Sequence, residues 1–268
     1  MKRLTEDEVI KNWEKLLAVV NATFESNPDR RDRILKMLEY FEERLSLCPA
    51  SAKEHFHNAW PGGLVDHTLR VIKNGLKLYD VWKEAGASIN FTKEEVVFAG
   101  IFHDLAKVGD LEVDYYIPNE SEWHRQHQGK IYELNPKLNF MNVTDRTFFL
   151  MNHFGIDCTT NEFLAIRLAD GMYFEANKAY LAGYDDAFRL KTNLPHIIHQ
   201  ADMLSMVVEY DAWKHSPDGG ADPKPKSNSK TIQRKKTLVD TFIQQPEATK
   251  FDPKIFDEVF PNEPGEKK

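Results

Sequence analysis

The chain has 268 residues, 41% hydrophobic and 29% charged, with a formal net charge of −7. That length buries a full core in one large domain or two small ones, and the acidic balance excludes a general pull on nucleic acid, leaving only a local basic patch for such contact. Two isolated cysteines, Cys48 and Cys158, exclude a disulfide framework or a zinc knuckle; with no apolar signal region and no run approaching about 18 apolar residues, the chain is expected to be cytoplasmic, with no membrane partner.

Helix signals dominate from the start. Thr5 to Glu8 is a capping box, and "VIKNWEKLLAVV" follows at helical spacing. "NPDRRDRILKMLEYFEERLSL" predicts a second helix that stops at Cys48-Pro49. "GGLVDHTLRVIKNGLKLYDVWKEAG" predicts a third, ended by Gly86. "TKEEVVFAGIFHDLAK" opens on a capping box at Thr92 and Glu95 and predicts a fourth. Between Val108 and Thr144 the helical pattern lapses: "VDYYIP" and "KIYELN" predict two short strands flanking the loop "NESEWHRQHQG". "TDRTFFLMNHFG" is a shorter helix. "TTNEFLAIRLADGMYFEANKAYLAG", capped by Thr159 with Glu162, reads as one helix to about Gly183, and "LPHIIHQADMLSMVVEYDAWKH" as the last strong one. After His215, "SPDGGADPKPKSNSK" reads as a linker, "TIQRKKTLVDTFIQQ" as one more helix, and "PNEPGEKK" as a tail. The fold class is therefore all-α, a helical bundle with a small hairpin-like insertion and a C-terminal arm. Its expected units are N-terminal helices packing on the core over 1–48, a main domain over 49–215, and a linker and arm over 216–268.

Three of these helices bring metal-capable side chains to inward faces. His67 shares a face with Leu64, Val71 and Leu78. Asp202 shares one with Ile198, His199, Met206 and Glu209. His103 and Asp104 close the fourth apolar helix. A carboxylate among Ile and Met is costly unless its charge is compensated. Taken singly, each residue reads as a hydrogen-bonded core group. Together, two imidazoles and two carboxylates suit a divalent Mn, Fe, Co, Ni, Zn or Mg ion with coordination positions left open.

The order His…His-Asp…Asp resembles the HD-domain superfamily of metal-dependent phosphohydrolases. The segments "HNAWPGGLVDHTLRV", "AGIFHDLAKVGD" and "HQADML" resemble its first-histidine, His-Asp and last-aspartate motifs. "PASAKEHFHNAWPGGLVDHTL" is similar to the start of HD domains in some bacterial 3′→5′ exonucleases. The resemblance covers roughly residues 49 to 211. It implies a helical HD fold and metal ligation by His67, His103, Asp104 and Asp202. Lys107 matches the family's HD-x-x-K lysine, near a substrate phosphate or near Asp104; its other reading is a surface lysine at a helix C-terminus.

Some members hold a second metal through further histidines, for which His124, His127 and His153 are the candidates here. Phe154 stands where an "HHG" element would have its second histidine, which favours one tightly held ion, with those three histidines as substrate or water contacts or a weaker second site. Asp170, Tyr173 and Asn177 at i, i+3 and i+7 would give one polar, aromatic face able to grip a base or sugar; packed aromatics with solvated polar groups are the other reading. His57 and Arg125 are further candidate substrate contacts. The function expected is hydrolysis of a phosphoester or phosphoanhydride of a small nucleotide by a metal-activated water, with Asp104 and Lys107 as the catalytic pair. The alternatives are a 3′→5′ exonuclease on single-stranded nucleic acid and an HD-scaffold diiron oxygenase. Neither a Walker loop nor a G-x-S-x-G element is present. Oligomeric state is not legible.

Overall fold

The computed structural model describes residues 3–183 and 185–215. Within them the chain is a mostly α-helical bundle with one two-stranded sheet. The linker and arm expected over 216–268 lie outside the described residues. No helix among the described residues is long and apolar enough to cross a membrane.

Local sequence fixes the first helices. In α1 (Glu6–Thr23) the Thr5 side chain accepts from the Glu8 backbone while Glu8 reaches back to Thr5, the reciprocal cap expected. Trp13, Leu16, Leu17 and Val20 recur at helical spacing and are buried. The next helix is not continuous: α2 (Pro28–Tyr40) and α3 (Glu42–Leu47) meet at Phe41. The change of direction seats Phe41 in the core, edge-on to Tyr40 and Phe154.

The central pair follows. α4 (Gly63–Glu84) starts at a glycine because a Cβ there would lie 2.0 Å from the Asn58 carbonyl oxygen. α5 (Lys93–Phe102) keeps the Thr92–Glu95 capping box, and every residue from Val96 to Phe102 is buried. A helix apolar on all sides belongs at the centre of a bundle, and α5 packs between α4 and α8 (Thr160–Arg167).

The helix predicted to run through Lys107 instead ends at Phe102 and is followed by a 3-10 turn, Leu105–Val108. His103 and Asp104 occupy the break. Arg44 on α3 then clamps the chain beyond it, donating to the carbonyls of Val108 and Asp110 and to the Asp114 carboxylate.

The insertion forms as expected, with a helix added. β1 (Tyr116–Pro118) pairs antiparallel with β2 (Tyr132–Leu134), Ile117 opposite Glu133, and α6 (Glu122–Gln128) lies between them. Its base is tied to the segment ahead of α4: Ile131 and Tyr132 donate to the Ala52 carbonyl, and Glu54 donates to that of Gly129.

α7 (Val143–His153) leads to α8, which carries the third capping box, Thr159 with Glu162. The long helix expected from Thr159 to Gly183 breaks at Arg167 into two 3-10 turns and a short α9 (Lys178–Leu181). Gly171 carries the turn that follows. It sits at φ +54°, and a Cβ there would come within 2.3 Å of the His199 ring. α10 (Leu194–Lys214) closes the bundle antiparallel to α4. Trp82 Nε1 donates to Gln200 Oε1 and Asn74 Nδ2 to Ser205 Oγ along that seam.

Candidate metal centre

Four side chains from three elements converge where α4, the end of α5 and α10 meet. His67 Nε2 lies 3.0 Å from Asp202 Oδ1, 3.8 Å from Asp104 Oδ2 and 3.4 Å from His103 Nε2. His103 Nε2 in turn lies 3.5 Å from Asp104 and 3.9 Å from Asp202. His67, His103 and Asp104 are buried, and Asp202 is half-buried toward the open side.

Each imidazole is oriented from behind. His103 Nδ1 donates to the Gly100 carbonyl at 2.8 Å, one turn back on α5. That bond assigns the proton to Nδ1 and leaves the Nε2 lone pair facing the cluster. His67 Nδ1 meets both oxygens of Glu209, at 3.2 and 3.1 Å. Two imidazole nitrogens and the Asp104 carboxylate suit a divalent ion, with Asp202 against both imidazoles but outside the metal-capable groups found among the described residues. His67, His103 and Asp104 form a group able to hold a metal, as do His57, His67 and Glu209.

The electrostatics follow from this crowding. Burial alone would lower the His67 pKa, but the Glu209 and Asp202 carboxylates outweigh it and raise it to about 10. Burial would raise the Asp202 pKa, and the hydrogen bond from His67 overrides it, holding the carboxyl well below its usual range. Asp104 is likewise held down against burial, chiefly by Lys107 and His103. Lys107 Nζ donates to Asp104 Oδ2 at 2.6 Å, and that carboxylate raises the lysine pKa against burial.

The remaining candidates divide. His57 stands beside the centre, its ring 4.8 Å from that of His67, and neither ring nitrogen has a hydrogen-bond partner among the described residues. Burial first, then the neighbouring His67 and Lys107, keep it neutral. Asp170 lies exposed at the rim, within electrostatic reach of Asp104, Lys107 and Asp202. Desolvation by the surrounding protein and then Asp104 raise its pKa. Tyr173 is 82% exposed, edge-on to His199.

Asn177 shares no helical face with them, because of the break at Gly171. It is buried, accepting from Arg167 at 2.6 Å and donating to the Gly171 carbonyl at 2.9 Å, so its amide is consumed in holding the turn.

His124, His127 and His153 are not in either metal-capable group found among the described residues. His124 Nδ1 pairs with Ser121 Oγ, His127 stacks on Trp123 and donates to its carbonyl, and His153 is exposed at the end of α7. Arg125 is half-buried on α6.

Two residues were not assigned from sequence. Glu209 had a visible signal, since it lies two turns beyond Asp202 on the same helix face. Arg146 had none. It is 3% exposed, its Cζ sits 5.6 Å over the Tyr115 ring, and it donates to the Asn139 carbonyl.

Comparison with known proteins adds one likeness. Over 64 residues the chain is 33% identical to a dihydroneopterin 2′,3′-cyclic phosphate phosphodiesterase from Methanocaldococcus jannaschii, across 24% of this chain and 25% of that protein. The chain thus spans about a quarter of the length of the curated relative it matches. No family model matches the chain, and no solved structure does. The likeness is to a phosphoester hydrolase, and the helical architecture agrees with the resemblance drawn from the motifs.

Proposed function

We propose that the protein is an HD-type metal-dependent phosphohydrolase acting on a phosphoester or phosphoanhydride of a nucleotide or nucleotide-like small molecule. One observation carries the reading: His67, His103, Asp104 and Asp202 bring four donor groups into one cluster, with a lysine ammonium 2.6 Å from one of the carboxylates. The cyclic phosphodiester named for the matched archaeal protein is chemistry of the same class.

A divalent ion held by His67, His103, Asp104 and Asp202 would supply Lewis acidity and lower the pKa of a water nucleophile. The protein does the rest by placement. Glu209 and the Gly100 carbonyl fix the two imidazoles, so their lone pairs need no reorganisation. Asp104, held by Lys107, accepts a hydrogen bond from the attacking water and aligns it. The Lys107 ammonium faces the charge that builds on phosphoryl oxygens. Asp170, its carboxyl pKa raised by desolvation and then by Asp104, is the group assigned in this reading to protonate the leaving oxygen. Within this reading, residues 49–215 are the HD domain and 1–48 its supporting helices.

The test is metal content of the purified chain, followed by phosphate and nucleoside release from one panel. The panel holds ribo- and deoxynucleoside mono- and triphosphates, a 2′,3′-cyclic phosphate and a short single strand, with Asp104→Ala as control. Release from a small substrate, lost in the control, supports the proposal. Shortening of the strand alone replaces it with an exonuclease. Two irons per chain without phosphate release replaces it with an oxygenase.

A further inference from the structure

We infer that Glu209 is the positioning residue of His67, and that its charge sets how tightly the centre holds its ion. This rests on the metal reading of the quartet. The side chain is fully buried, and both its oxygens lie within 3.2 Å of His67 Nδ1. A carboxylate there keeps the proton on Nδ1, fixes the ring about its long axis and makes Nε2 a stronger donor. Nε2 is the atom that faces Asp104, Asp202 and His103.

The carboxylate is itself held. Arg70 Nε, one turn beyond His67 on α4, donates to Glu209 Oε1 at 3.0 Å. Arg70 also reaches Asp66 at 3.5 Å, and Asp66 accepts from Asn58 at 2.9 Å and from Asn12 of α1 at 3.2 Å. A buried carboxylate without compensation is costly, and Arg70 offsets that cost through the one bond it makes to Oε1. Because Asp202 and Glu209 stand two turns apart on α10, one rigid helix grips His67 at both ring nitrogens. An ion pair with Arg70 alone would not require both oxygens of Glu209 to face the imidazole.

The full-length protein is titrated with Zn²⁺ against a competing chelator, as wild type, Glu209→Gln, Arg70→Met, His103→Ala and Asp202→Ala. Glu209→Gln keeps the shape and removes the charge. It is expected to bind Zn²⁺ about 10- to 100-fold more weakly, while Arg70→Met binds at least as tightly as wild type. Affinity in Glu209→Gln within about twofold of wild type, or equal losses in both variants, overturns the inference. Unchanged binding in His103→Ala and Asp202→Ala instead sinks the metal reading itself.

A second measurement needs no variant. In the Zn²⁺-loaded wild type, the His67 ring proton is expected on Nδ1, shifted downfield and slow to exchange in the NMR spectrum. A proton on Nε2, or rapid exchange, overturns the inference even if Glu209→Gln fails to fold.

Discussion

Lys107 Nζ and Asp104 Oδ2 stand 2.6 Å apart at the mouth of the cluster, joined across one turn of 3-10 helix. The lysine both offsets the carboxylate and competes with any cation for it. Lys107→Met therefore separates two properties. Metal affinity should hold or rise, because a like charge has gone. On the proposed function, turnover should fall about 100-fold, because charge on the phosphoryl oxygens loses a facing cation. Titration calorimetry and single-turnover rates on one preparation check both, and a parallel loss of affinity and rate would mean that the lysine only props up Asp104.

Asp170 gives a prediction with an internal control. If it protonates the leaving oxygen, Asp170→Asn slows substrates with basic leaving groups by about 10²- to 10⁴-fold. Substrates with an acidic leaving group such as nitrophenolate need no such help and should lose little. Equal loss on both would assign Asp170 to binding.

Stability of the metal-free protein should depend on pH through His67. Its folded pKa, about 10, lies above the ordinary imidazole value of 6.5. The native state then binds more protons than the unfolded one between these values. The contribution is complete below about pH 6.5 and lost as pH rises toward 10. Asp202 acts in the opposite sense: its depressed carboxyl contributes above the ordinary carboxylate value of 3.8, and that contribution is lost as pH falls through the folded pKa. Melting temperatures in chelator from pH 5 to 9.5 should fall toward the alkaline end. The decline should flatten in His67→Gln.

Arg30 and Glu162 make a buried pair of 2.6 Å, with the guanidinium stacked 3.9 Å over Phe98. Glu162→Ala removes that partner and the α8 capping box, and leaves Arg30 with Glu94 at 3.3 Å and the Asp157 carbonyl. A loss of about 1–3 kcal/mol in urea denaturation is expected, more than the ~1 kcal/mol of a cap alone.

The sequence announced what short-range chemistry controls. All three capping boxes form, at Thr5, Thr92 and Thr159, and the two strands pair where alternation placed them. The quartet was legible because its members recur on inward faces. Helix breaks were not. The apolar period runs on through His103 and Asp104, yet the chain turns there, and that turn points Asp104 at His67. At Gly171 the decisive object is the His199 ring, distant in sequence, which no local pattern reveals. Arg146 looks like an ordinary solvated charge until packing shows what it touches, whereas Glu209 already shared the inward face of Asp202.

The four donors belong to stretches of chain far apart in sequence, on α4, after α5 and on α10. Holding such distant stretches together costs chain entropy, and that cost grows only slowly with the length of the loop closed. A ligand that binds only the assembled site stabilises the fold in proportion to the logarithm of its free concentration. The ion would thus act as a removable clasp on the bundle, much as a disulfide clasps a secreted domain. On the proposed reading, a cell short of that metal would lose more than turnover, because the stability of the whole bundle would follow the supply of the ion.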